Sequence, residues 1–176
     1  MDTFVLLAGR YADEALATAD YEAVKDLYSR LGLDATFDAA VMTRDENGKV
    51  HLVHRHEQPT RRGAVGGLAL GLAGGAVVAL FPAVALAGGL IWGGAAGAGL
   101  GALVGHVAGG LSRTQLKSLG ELLDEGQSGL IVVAAMDLEA QVEKEIRRAA
   151  KVEKAQLTAD EAALQRDVEQ AGAGTP

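Results

Sequence analysis

The chain has no cysteine, so disulfides, thiolate nucleophiles and cysteine-ligated zinc or iron–sulfur centres play no part in what it does. Aromatic residues make up only 4% while hydrophobic residues make up 49%, which predicts a core of alanine, leucine and valine. Basic residues are outnumbered 16 to 23, for a net charge of -7; this argues against a nucleic-acid protein, whose affinity rests on phosphate neutralisation. No secretory signal is expected either. Met1 is followed by Asp2 rather than a basic stretch, and Phe4-Val5-Leu6-Leu7-Ala8 ends at Gly9-Arg10 without a small-residue cleavage site, so a cytoplasmic start is expected. Gly97-Ala98-Gly99-Leu100-Gly101 lacks the strand-to-helix setting and downstream carboxylate of a dinucleotide fingerprint, and no phosphate-binding loop ending in Lys-Ser or Lys-Thr is present.

What is present is an ordered series of periodic segments. Phe4 to Ala8 reads as a buried strand. Ala15, Leu16, Ala19, Ala23, Val24, Leu27, Tyr28 and Leu31 recur at three and four, predicting a helix from Ala12 to Leu31 with Asp13 or Asp20 near its electropositive start and Gly32 as its stop. Phe37 to Arg44 and Val50 to His56 read as antiparallel strands around the hairpin signal Asn47-Gly48. Beyond Gly110, Ser112 or Thr114 caps a helix bearing Leu116, Leu119, Leu122 and Leu123, followed by a buried strand from Leu130 to Met136. The order strand, helix, strand, strand, helix, strand predicts an α+β fold, a ferredoxin-like βαββαβ unit formed by residues 1–62 and 111–136. Residues 137–176, rich in Ala, Glu, Lys, Arg and Gln, read as an acidic helical tail, with Thr158-Ala159-Asp160-Glu161 resembling a capping box.

Between the third strand and second helix lies the most distinctive segment. Fifty residues between Arg62 and Arg113 contain no Asp, Glu, Lys or Arg, and 16 of the 24 glycines fall between Gly63 and Gly110. Pro82 divides residues 63–110 into arms long enough, at about 1.5 Å per residue, to form a helical hairpin crossing a bilayer. Gly63, Gly67, Gly71 and Gly75 are four apart, as are Gly89, Gly93, Gly97, Gly101, Gly105 and Gly109. Such stripes let helix backbones approach closely and predict oligomerisation through a glycine zipper. Arg61, Arg62, Arg113 and Lys117 flank the hairpin, placing both ends in the cytoplasm. The competing expectation is a soluble assembly that buries the hairpin between chains.

The strand-helix-hairpin beginning, the Thr60-Arg61-Arg62-Gly63 entry, the zipper broken at Phe81-Pro82 and the return to Ser128-Gly129-Leu130-Ile131-Val132-Val133 resemble the bacterial family known as domain of unknown function 1269. The resemblance covers about residues 3 to 150. It implies a membrane-integral or membrane-associated protein and adds no catalytic residue.

Candidate polar sites are few. His54 and His56 share one face of their strand while His51 points the other way, a poor metal set, so no metal and no cofactor is expected. His106, near the end of the second arm, is the one candidate functional polar residue, either proton-sensitive or hydrogen-bonded to a backbone carbonyl. The expected function is that of a non-enzymatic membrane structural protein self-assembling through Gly67, Gly71, Gly75, Gly89, Gly93, Gly97, Gly101, Gly105 and Gly109. Its expected partners are further copies of itself and the lipid bilayer, with no nucleic acid. The alternatives are an oligomeric pore and a soluble ligand-binding module.

Overall fold

Strand β1 (Asp2–Tyr11) carries the run Phe4 to Ala8, every residue of which is at most 5% exposed. A strand buried on both faces needs neighbours along both edges and layers above and below. The computed structural model, which describes residues 2–47, 50–55, 109–124, 127–160, 163 and 166, supplies them. Helix α1 (Glu14–Arg30), strands β2 (Asp38–Arg44) and β3 (Val50–Arg55), helix α2 (Arg113–Asp124), strand β4 (Ser128–Ala135), helix α3 (Glu139–Glu145) and strand β5 (Lys151–Ala159) follow in order. The strands form one antiparallel sheet in the order β3-β2-β4-β1-β5.

Local chemistry sets the element ends. Asp13, in an extended conformation, accepts a hydrogen bond from the Leu16 amide and caps α1. Gly32 adopts φ of +69° just past the helix, where a Cβ would be strained. Ser112 and Gln115 cap α2 reciprocally: the Ser112 hydroxyl accepts from the Gln115 amide, and the Gln115 side chain accepts from the Ser112 amide.

Alternation along the strands divides the core. Val5, Leu7, Ala39, Val41, Leu130, Val132 and Ala134 pack with Ala17, Tyr21, Val24 and Tyr28 of α1 and with Val142 of α3. Phe37 joins this layer through an edge contact with Tyr21 and a tilted ring contact with Tyr28, each at 5.4 Å between ring centroids. Residues of opposite parity, among them Leu6, Ala8, Met42, Ile131 and Leu157, are buried on the other face, where α2 contributes Leu119, Leu122 and Leu123.

This α+β architecture with an open antiparallel sheet is consistent with a ferredoxin-like arrangement, but different segments occupy the expected places. Strand β4 lies between β1 and β2, and β3 is an outer strand. The helix preceding the last strand on the α1 face is α3, and the strand beyond β1 is β5. Residues 151–159, expected within a helical tail, therefore belong to the sheet, pairing with β1 from Asp2↔Ala159 to Arg10↔Lys151 without interruption. Alternation of Ala155 and Leu157, both buried, with exposed Gln156 and Thr158 overrides the helix-favouring composition. Just beyond it the Asp160 carboxylate accepts from the Ala163 amide.

The membrane expectation is corrected. Among the described residues no helix is long and apolar enough to cross a membrane, against the expected bilayer partner and membrane location. The zipper positions Gly67, Gly71, Gly75, Gly89, Gly93, Gly97, Gly101 and Gly105, with His106, lie outside the described residues. The one described member, Gly109, is exposed, and a Cβ there would meet nothing within 4 Å. Close approach occurs instead at Gly110, where a Cβ would collide with the Thr158 carbonyl oxygen and come within 2.7 Å of Leu157 Cδ1. The close packing at this end of the segment is on the same chain's β5 and is made by Gly110, outside the four-residue repeat.

Gly109→Ala and Gly110→Ala should separate these two roles in urea unfolding. Alanine at 110 is expected to destabilise by about 2 kcal/mol through overpacking against backbone, whereas alanine at 109 should be neutral or stabilising by up to about 1 kcal/mol through helix propensity. Equal effects would contradict the assignment.

Candidate functional site

The most completely bonded polar group in the interior is Asp20. It lies on α1, fully buried, facing the end of β1 and the connection from α3 to β5. One carboxylate oxygen accepts from the Tyr11 hydroxyl at 2.9 Å and the Arg148 amide at 2.8 Å; the other accepts from the Arg148 guanidinium at 2.8 Å. The adjoining Ala150 amide donates to the Arg10 carbonyl at 2.8 Å. Burial, followed by the charge of Asp20 and the hydrogen bond to it, pushes the Tyr11 phenol far above its ordinary value of 10.0. Tyr11 is therefore a fixed neutral donor. Three hydrogen bonds to this one carboxylate tie α1 to the end of β1 and to the connection between α3 and β5, which makes the cluster a clamp.

Elsewhere the sequence candidates separate. His51 bonds Asp45 at 2.8 Å across the β2–β3 turn, and Asp45 also accepts from the Asn47 amide. His54 is on β3 opposite Val41, and His56 lies outside the described residues. Among the described residues no group of three His, Asp or Glu could hold a metal ion.

Two surface concavities stand out among the described residues. A shallow depression of about 390 Å³ between α1 and α3 is lined by Ala23, Asp26, Ser29, Arg30 and Glu145. Its main charges satisfy each other, with Arg30 bonding Glu145 at 3.3 Å. The second is a cleft of about 180 Å³ between α2 and β5, lined by Thr114, Gln115, Ser118 and Leu119 on one side and Glu153, Lys154 and Ala155 on the other. Ser118 donates to Glu153 at 2.6 Å, and Lys151 lies 3.1 Å from the other carboxylate oxygen. The hydrogen bond from Ser118 is the main cause holding the Glu153 carboxyl below its ordinary value of 4.5. The Lys154 ammonium is on the opposite face, 2.8 Å from Glu139 and 2.9 Å from Glu143, so Lys154 borders the cleft through its backbone. Neither concavity was evident from the sequence; alternation at residues 155–159 was the available signal for β5, and nothing local identifies its pairing with α2.

A model of proteins of unknown function, DUF1269, matches residues 64–169, more than half of the chain. The chain belongs to the DUF1269 family. No curated protein and no solved structure matches it. The match supports the family named from the sequence, over residues 64–169 rather than about 3 to 150, but not the membrane-spanning zipper attached to it. The matched segment includes α2, β4, α3 and β5 and hence the whole cleft, yet β4 and β5 are both partners of β1, which precedes the match. The DUF1269 segment therefore completes its sheet with a strand from outside the matched residues.

Asp20→Ala should cost about 3 kcal/mol in urea unfolding, since it leaves the Tyr11 hydroxyl and the Arg148 amide without their acceptor. The double variant with Tyr11→Phe should recover part of that loss. A cost below about 1 kcal/mol would show that the cluster is not a clamp.

Proposed function

We propose that this DUF1269 protein is a non-enzymatic binding module and that the cleft between α2 and β5 is its ligand site. The supporting observation is the cleft's composition. Leu119 and Ala155 give an apolar floor, Thr114, Gln115 and Ser118 give neutral polar groups, and Glu153 gives one oriented negative charge. This is the mixture of apolar surface with a few placed polar groups that recognition uses. The Ser118 hydroxyl and the Lys151 ammonium lie against the two Glu153 oxygens and hold this carboxylate in place as an oriented acceptor. The frame is read as ferredoxin-like, with β1-α1-β2 and β4-α3-β5 as its two halves and the excursion from β3 to α2 bringing a helix onto the other face of the sheet.

An NMR titration of the full chain with n-butylamine, n-butanol and acetamide at millimolar concentration tests this reading. Butylamine, which joins an apolar body to a positive head, should shift the amides of Thr114, Ser118, Glu153 and Ala155 most. Shifts confined to other surfaces, or the same response to all three probes, would remove the cleft as the site.

A further inference from the structure

We propose that the α2–β5 cleft and the outer edge of β5 together take an extended segment of a partner protein by strand addition, with an apolar side chain seated on Leu119 and Ala155 and a basic side chain two residues along facing Glu153. This inference rests on the binding-module reading above and names the occupant of that same site.

Size is the first reason. At about 180 Å³ the cleft falls below the roughly 300 Å³ at which pockets for whole small ligands begin, and suits a single side chain. Position is the second. Strand β5 is an end strand of the sheet, and among the described residues its only strand partner is β1. The cleft is lined by Glu153, Lys154 and Ala155 of this end strand, so a segment pairing with β5 would bring its side chains beside the cleft, as in recognition by strand addition. Regularity is the third. The β1–β5 ladder runs for nine consecutive pairs, whereas the ladder joining outer strand β3 to β2 shifts register between Val41 and Met42, and irregular edges pair poorly.

Charge then selects the occupant. Glu153 and Ala155 are two apart and share the α2 face, so a strand laid beside β5 presents two same-face side chains, at i and i+2, to them. The residue beside Ala155 enters the apolar floor, and a basic residue beside Glu153 adds a second cation to a carboxylate already held by the Ser118 hydroxyl and Lys151. On the opposite face Lys154 is occupied by Glu139 and Glu143, and Gln156 and Thr158 are exposed, which favours neutral polar residues there. The chain's net charge of -7 draws a basic segment in the same direction.

Fluorescence anisotropy with the full chain and labelled nine-residue peptides tests the proposal. The first probe alternates threonine with a central leucine and an arginine two residues from it; the second replaces arginine by glutamate; the third places proline at alternate positions. The arginine peptide should bind at least tenfold more tightly than either control and should shift the β5 amides in NMR spectra. Glu153→Gln should abolish the preference for arginine, and Glu153→Lys should reverse it, with circular dichroism confirming that each variant is folded. Equal binding of the three peptides, or a preference unchanged by both substitutions, overturns strand addition. A dimer joined through β5 in sedimentation, or slow hydrogen exchange of the outward β5 amides in the free protein, overturns it as well, because the edge is then already covered. Binding of butylamine in the cleft without peptide binding removes only this proposal; failure of both removes the binding-module reading with it.

Discussion

The double-sided burial of β1 is the constraint on which the rest of the structure depends. Phe4 to Ala8 offers apolar side chains to both faces and hydrogen-bonding groups to both edges, and none of these can be left to water without cost. Strand β4 satisfies one edge and β5 the other. Helices α1 and α3 lie on one face and α2 on the other. The two strands that flank β1 come from far along the chain, so the N-terminal strand and the C-terminal half are each incomplete alone. The Asp20 clamp acts at the same junction, fixing the end of β1, the helix after it and the approach to β5 through one carboxylate.

Much of this was legible in the sequence where the signal is local. The apolar runs at Phe4 to Ala8 and Leu130 to Met136, the three-and-four spacing of α1, the stop at Gly32 and a cap at Ser112 or Thr114 each report a property of neighbouring residues, and each element forms close to its expected place, with β4 ending at Ala135 and Ser112 as the cap. Residues 151–159 show where local reading fails. Lys151, Glu153, Lys154 and Gln156 favour helix by propensity, but Ala155 and Leu157 alternate with polar residues, and the unpaired edge of β1 decides between the two. Assigning β5 moves every later inference about topology: β4 becomes a central strand, α3 becomes the second helix on the α1 face, and α2 is freed to cover the opposite face.

The functional surfaces were less legible because they are made by long-range juxtaposition. Asp20 reads in sequence as a helix-start charge, and only the fold brings it to Tyr11 and Arg148. Ser118 and Glu153 are 35 residues apart in sequence, with β4 and α3 between them. Glycine spacing was a stronger pattern than either, yet at the described end of the stripe it is Gly110, outside the four-residue repeat, that lets the chain entering α2 approach Thr158. A small residue permits close packing without stating which surface will use it. Family membership adds a boundary condition, since the DUF1269 segment carries α2 and β5 but borrows β1 from the preceding residues.

The most direct test of this account is the assignment of backbone contacts across β1 and β5 in NMR spectra of the intact protein. It predicts cross-strand nuclear Overhauser contacts between Phe4 and Leu157, Leu6 and Ala155, and Ala8 and Glu153, with extended-chain carbon shifts throughout residues 151–159. Helical shifts across those residues, with no contact to β1, would contradict it and with it the clamp, the cleft and the edge that depend on β5.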